Sequence, residues 1–500
     1  MVPQLETCRQ WILSNRLLIF LLALCIARLW LMPLPSSFWT DETGTYFVVQ
    51  RPQDPSFAVA PQVPASIYYV LPRAAERIFG FSEIAYRIPS LLLMGAALFM
   101  IGRLAARLID PDAAWFTVFA CFVMPDFNYY AADARPYGLG IFVTVASLYF
   151  LIDWFDTARW RSALGFVFFA ALLWRVQLVF WAFYPVFLIY ALVRLFRAGT
   201  KVGWLRALLV GSVVALALIP VVFDALRILQ SAKSHSFAPL PGFRAWLHFF
   251  PWKPLAFCAG LPWLVAQYVK WPSQRPVSAE ALTLIAAWWI WMPLCLFGYS
   301  RVTGTVLFVP RYYSPELPGA ALAATVLAFC YLPRARRQQA TVVLAIAGLV
   351  WTGRWTVLWP YHSPDNWRQG ALEADLEAEE PDTPVLTISP FIEAQAPIWT
   401  PDYHLPGFLY APLFVYPVRG RIYPFPFLIS PDAEEYSARL LRDTLTKRRR
   451  FILYGSGKNA VRWADWFSKR PELAGWASSV KNADDIGIFV FINPAGGGLL

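Results

Sequence analysis

The sequence predicts an α-helical polytopic membrane protein with about 11 transmembrane helices and a C-terminal α/β extracytoplasmic domain. Three observations lead there. Of 500 residues, 58% are hydrophobic and only 15% charged, with a mean hydropathy of +0.46; a soluble chain of this size lacks the surface to hide so much apolar area. Apolar stretches of bilayer length recur as far as residue 358. After residue 358, proline and charge rise, and apolar runs shrink to strand length.

Taken in order, the spans fall near residues 15–33, 88–108, 113–131, 136–154, 161–176, 178–196, 205–223, 255–270, 280–300, 315–332 and 339–358. Within 161–196 the segment Trp174-Arg175-Val176-Gln177 interrupts one long apolar run in place of a clean loop. The first run lacks a small-residue cleavage site and is followed by Leu31-Met32-Pro33-Leu34-Pro35, so it reads as a membrane helix and not as a secretion signal.

Orientation follows from the basic residues. Arg9 and Arg16, Arg103 and Arg107, Arg159 and Arg161, Arg194, Arg197, Lys201 and Arg206, Lys270 and Arg275, and Arg334, Arg336 and Arg337 all fall in alternate loops. The positive-inside rule puts that set, and the N-terminus, in the cytoplasm. Residues 34–87, the 131–136 turn, 224–254, 301–314 and everything after 359 then face outward across the plasma (inner) membrane. The net charge of +11 is accounted for by the cytoplasmic loops, which removes nucleic acid as a partner. The cysteines show no CxxC pair and no metal-ligand spacing, so neither a disulfide framework nor a zinc site is indicated.

Two domains are expected: a transmembrane catalytic domain over 1–358 and an extracytoplasmic α/β domain over 359–500. In the second, Val385–Ile388, Phe451–Tyr454 and Ile486–Phe491 read as strands, and the amphipathic stretch 458–469 reads as a helix. No repeat of fixed period is visible, and Gly496-Gly497-Gly498 reads as a frayed end.

Four polar clusters are expected on the outer side. Asp41-Glu42 follows the first span; two carboxylates at a membrane edge suit a general base, with or without a metal, while a helix N-terminal cap is the structural alternative. Asp133-Ala134-Arg135-Pro136-Tyr137 forms the turn between the third and fourth spans, with Asp126 and Asn128 just upstream. It reads equally as a local ion pair at a helix junction. Val309-Pro310-Arg311-Tyr312-Tyr313-Ser314-Pro315-Glu316-Leu317-Pro318 places an Arg fork at a helix mouth, suited to phosphate, or alternatively a snorkelling Arg among belt tyrosines. The 224–254 loop, with Arg227, Lys233, His235, Arg244 and His248, fits lipid headgroups as well as phosphate, and its histidines read as interfacial.

Together these motifs resemble those of the GT-C superfamily of integral membrane glycosyltransferases, most of all its protein O-mannosyltransferase-like and lipid A aminoarabinose transferase-like bacterial members. Thr40-Asp41-Glu42-Thr43-Gly44-Thr45-Tyr46 is similar to the family's acidic pair and following aromatic. Ile67-Tyr68-Tyr69-Val70-Leu71 continues the match, Phe79 to Ser90 resembles its entry into the second span, Tyr130 to Tyr137 its second outer turn, Pro310-Arg311-Tyr312-Tyr313 with Pro315 and Pro318 its late Arg-Tyr segment, and Asp365-Asn366-Trp367-Arg368 the start of its outer domain. Two departures stand out: Pro61-Gln62-Val63-Pro64 replaces a His-Pro-Pro-like element, and Arg175-Val176-Gln177 stands where a His is common.

The resemblance implies a reaction: a sugar on a polyprenyl phosphate moves, with inversion, to an acceptor hydroxyl on a lipid, glycan or protein. Asp41 would take the acceptor proton, with Glu42 binding the acceptor or supporting Asp41. Asp133, Arg135, Tyr137, Arg311 and Tyr312 would bind donor phosphate and substrate, with the two arginines stabilising charge on the leaving phosphate. No nucleotide fold is needed, and a divalent metal stays open, since two adjacent acids supply too few ligands. A transporter or flippase of lipid-linked saccharides is the alternative, but it calls for ionisable residues at mid-membrane and related halves. Only Arg175 fits that description. A non-catalytic assembly subunit would lose no sugar transfer on neutralisation of Asp41 and Asp133.

Overall fold

The structure, a computed structural model, describes residues 15–197, 199–232, 240–249, 251–274, 277–394 and 407–494. Cys8, Arg9, Lys233, His235, Arg275 and the Gly496–Gly498 tail lie outside the described residues. The chain divides into two compact units. One comprises Met1–Leu34 with Ala65–Pro360, and the other Pro35–Pro64 with Tyr361–Leu500.

The first unit is helical. Among the described residues, five helices are long and apolar enough to cross a membrane: Glu83–Leu108, Tyr137–Thr157, Leu178–Phe196, Trp204–Arg227 and Ala279–Thr303. The protein is thus a multi-pass membrane protein. The most apolar window of Trp204–Arg227 is only 17% buried, which suits a helix facing lipid. The remaining predicted stretches run as shorter or interrupted helices. Arg16–Cys25 passes into a π turn over Ile26–Leu31. The 113–131 stretch breaks at Met124-Pro125, because Pro removes a backbone donor and pushes its predecessor out of the helical region. The interruption near Gln177 is real: the Trp160–Val176 helix ends, Gln177 is extended, and a 3-10 turn over Leu178–Phe183 leads into Tyr184–Phe196.

Ion pairs gather the basic loops at one end of this unit. Arg107 bridges Asp153 and Asp156, Arg194 joins Asp156 at 2.6 Å, Arg197 meets Glu280, and Arg334 and Arg337 share Asp110. A helix of about 20 residues climbs about 30 Å. Tyr137–Thr157 and Ala279–Thr303 both anchor at the basic end, so residues 131–137 and 303–316 lie at the other. Arg175, the exception to edge-placed charge, donates to the Ala217 carbonyl at 2.9 Å, near Pro220 where that helix loses a backbone donor.

At the end away from the basic loops, buried arginines hold the chain by backbone carbonyls. Arg87, fully buried, donates to the Leu34 carbonyl at 2.7 Å. Arg28 donates to the carbonyls of Gly353, Arg354, Val357 and Leu358 at 2.6–2.9 Å, with its guanidinium 4.7 Å from the Trp355 ring centre. Nearby, Gly319 lets the Leu317–Phe329 helix press onto Ala279–Thr303; a Cβ there would come within 2.8 Å of the Trp289 backbone.

In the second unit a five-stranded mixed sheet is ordered β2-β1-β3-β5-β4, with β1 Pro384–Ile388, β2 Arg421–Phe425, β3 Arg450–Ser456, β4 Ala477–Ala483 and β5 Ile486–Ile492. The β1–β2 and β1–β3 pairs are parallel, and β3–β5 and β4–β5 antiparallel. The three stretches read as strands from sequence are β1, β3 and β5. Helices Pro431–Asp443 and Gly457–Ser468 cover one face, burying Leu441, Trp463 and Phe467 against Phe425, Phe451 and Phe491. Trp367–Glu377 covers the other, where a Cβ on Gly370 would meet Ile486 at 2.6 Å.

Candidate active site

In the second unit the Asp41-Glu42 pair opens a helix, Thr40–Gln50. Both acids lie in its first turn, where the positive end of the helix favours them. Glu42, fully buried, accepts the Trp39 backbone N–H at 3.3 Å. Part of the capping alternative therefore applies to Glu42. Asp41, half-buried, is the acid of the pair nearer solvent.

Residues 362–368 hold this turn in place. His362 N–H donates to Ser36 Oγ at 3.1 Å, Arg368 N–H to Ser37 Oγ at 3.1 Å, and the Arg368 guanidinium to the Pro35 carbonyl. Asp365 accepts from the Thr40 hydroxyl at 2.9 Å and from the Thr40 N–H at 3.3 Å; Trp367 Nε1 donates to the same hydroxyl oxygen. Buried His362 brings a ring nitrogen within 4.8 Å of a Glu42 carboxylate oxygen. Sequence reasoning assigned no role to His362 and quoted Asp365 only as part of a motif. Their position just after the last apolar run was the available signal.

Burial raises the Asp365 pKa above its ordinary value, and Asp485 and Asp41 push it the same way, against the two Thr40 hydrogen bonds. A raised folded-state pKa means that the neutral carboxyl favours the folded unit below about pH 4, and that this contribution is lost as pH rises through the folded value. Asp365→Asn keeps an acceptor for Thr40 and carries no charge. It is expected to unfold at a higher temperature than the parent at pH 7–8, with the gap closing towards pH 4. Parallel curves for the two proteins across that range in detergent would refute the assignment.

In the membrane unit, the other predicted residues fall at the end away from the basic loops. Asp133 and Tyr137 are buried and Arg135 is half-buried, in the turn that starts the Tyr137–Thr157 helix. That helix packs against the 3-10 segment Pro310–Glu316, which carries half-buried Arg311 and Tyr312. The Arg311 guanidinium lies 5.7 Å from the Tyr312 ring centre. Asn128 proves to be structural, accepting from Trp30 Nε1 and donating to the Phe122 carbonyl across the helix break. In the fourth cluster, Arg227 and Arg244 are exposed.

Three prolines, at 310, 315 and 318, shape the 3-10 segment and the helix after it. Trp288 Nε1 anchors the turn by donating to the Pro315 carbonyl at 2.7 Å. A cavity of about 100 Å³ opens beside it, lined by Asp126, Tyr130, Tyr313, Ser314 and Glu316 among others. The Tyr130 and Tyr137 rings lie 5.2 Å apart, linking this cavity to the Asp133–Tyr137 turn. Sequence reading quoted Glu316 inside its motif but assigned it no role.

Residues 64–223 match the family model described as dolichyl-phosphate-mannose-protein mannosyltransferase. The match contains Asp133, Arg135 and Tyr137 and leaves Asp41, Glu42 and Arg311 outside. No curated protein sequence matches the chain. Among solved structures, ArnT from Cupriavidus metallidurans bound to undecaprenyl phosphate and the same protein in the apo state are each similar, with a TM-score of 0.55 at 14% identity, covering 97% of this chain and 100% of that chain. The fold is therefore ArnT-like, and the resemblance to GT-C proteins read from the motifs holds.

Proposed function

We propose that this chain is an inverting glycosyltransferase, moving a sugar from a polyprenyl-phosphate donor to an acceptor hydroxyl at the extracytoplasmic face of the inner membrane. The observation that carries this reading is that Arg135, in the turn that starts the Tyr137–Thr157 helix, and Arg311, on the segment packed against that helix, lie at the same end of the membrane unit, opposite the basic loops. By the positive-inside rule the basic end is cytoplasmic, so the arginines, and residues 359–500, are outward-facing. The ArnT structure with undecaprenyl phosphate supports a lipid-phosphate donor in this fold.

In this reading Asp41 removes the proton of the acceptor hydroxyl as its oxygen attacks the anomeric carbon from the face opposite the phosphate. The bond from that carbon to the phosphate oxygen breaks, and the polyprenyl phosphate leaves with the bonding pair. Arg135 and Arg311 stabilise the charge that gathers there, an interaction stronger in the transition state than in the ground state. The donor is already activated, so the residues supply orientation, one proton acceptor and electrostatic stabilisation.

Arg135→Gln and Arg311→Gln are each expected to weaken binding of undecaprenyl phosphate by about tenfold, because each removes a charge-assisted contact to phosphate. Titration of the purified protein in detergent reads this directly. Unchanged affinity in both variants would remove the phosphate-binding assignment.

A further inference from the structure

The cavity beside Pro310–Glu316 has a chemical character of its own. The segment bends at Tyr313, whose φ of −107° and ψ of 19° leave helical geometry, and Pro310, Tyr313 and Glu316 all line the cavity. Arg311 lies one position round the turn. Glu316 is 2% exposed and Ser314 1%. Among the described residues Glu316 Oε2 and Ser314 Oγ have no hydrogen-bond partner. A buried acceptor left without a donor costs about 1–3 kcal/mol, so a carboxylate in this position calls for a ligand that brings donors.

The lining decides which ligand. Asp126 and Glu316 are acceptors when ionised, and the hydroxyls of Tyr130, Tyr313 and Ser314 work both ways. When ionised, the two acids repel a phosphate or carboxylate. A group rich in O–H or N–H donors would satisfy them, with two aromatic rings available for its carbon face. The cavity of about 100 Å³ also exceeds what a single water needs, about 10–15 Å³ on the same measure.

We infer that this cavity is the sugar pocket of the donor site, with Glu316 accepting hydrogen bonds from hydroxyl or amino groups of the transferred sugar. The inference rests on the lipid-linked donor reading and deepens it. One short turn then presents an acceptor to the sugar through Glu316 and a donor to the phosphate through Arg311, sorting the two halves of one ligand by charge. Glu316 is accordingly a specificity-determining residue.

The test separates the sugar from the lipid. Affinity is measured in detergent for undecaprenyl phosphate and for the same lipid carrying mannose, glucose or a 4-amino-4-deoxypentose. The parent protein is expected to prefer at least one glycosylated lipid over the bare one. Glu316→Gln, nearly equal in shape, is expected to lose about tenfold for that glycolipid while keeping its affinity for the bare lipid. An equal loss for both lipids marks a structural role and overturns the inference, as does an undiminished sugar preference. Stabilisation by Mn²⁺ that disappears in Glu316→Gln, with glycolipid binding intact, reassigns the cavity to a cation. Failure of the parent to bind any of these lipids overturns the donor reading itself, and this inference with it.

Discussion

Asp41→Asn is expected to abolish sugar transfer while the protein still inserts, folds and binds undecaprenyl phosphate. Asn is nearly equal in shape to Asp and gives up only the charge–dipole contribution at the helix start, about 0.3–1 kcal/mol, so the Thr40–Gln50 helix should keep its start. What disappears is the proton acceptor, and loss of a general base commonly lowers the rate by about 10²–10⁴. Glu42 must be tested separately because it has a second task, accepting the Trp39 N–H. Glu42→Gln retains an oxygen for that hydrogen bond and removes only the charge, so it should leave the helix intact and report on support of the base. Transfer can be followed by mass spectrometry of envelope glycolipids and glycoproteins in cells carrying each variant. Full transfer with Asp41→Asn would end the assignment of Asp41, and full transfer with Asp41 and Asp133 both neutralised would favour a non-catalytic subunit.

What could be read from sequence was whatever local pattern expresses. Long apolar windows located the bilayer helices, and alternation of basic loops grouped Arg107, Arg194 and Arg334 at one end, where ion pairs now tie them. The same alternation sent Arg135 and Arg311 to the other end. Short apolar runs of strand length marked β1, β3 and β5, whereas β4 is nearly all exposed and carries no core-facing signal. The residues that went unnoticed make contacts with no local period. Thr40 meets Asp365, and Ser36 meets His362, across more than three hundred intervening residues. Glu316 was hidden in a proline-rich motif whose Arg and Tyr drew attention first. Its significance is its burial, a tertiary property.

Arg28 shows the same limit from the side of stability. One Arg inside a long apolar run barely alters a hydropathy window, yet its removal is expected to be among the most damaging single changes in the membrane unit. Arg28→Met should keep the volume of the side chain and lose every donor. The carbonyls of Gly353, Arg354, Val357 and Leu358 would then face a thioether in place of a guanidinium fork. Arg354 already sits at a positive φ of 46°, a conformation that side chains other than glycine adopt at a cost, and its carbonyl is one of those Arg28 holds. Losing hydrogen bonds from a charged donor and leaving acceptors unmet should lower stability by about 3 kcal/mol or more, a large share of the roughly 5–15 kcal/mol typical of a folded domain. Arg28→Lys, a single ammonium on a flexible stem, cannot span carbonyls that the planar fork reaches together, so it should fall between the two. Thermal unfolding and size-exclusion profiles in detergent distinguish the three proteins. A parent-like midpoint for Arg28→Met would mean that the 353–358 turn holds its shape without the guanidinium.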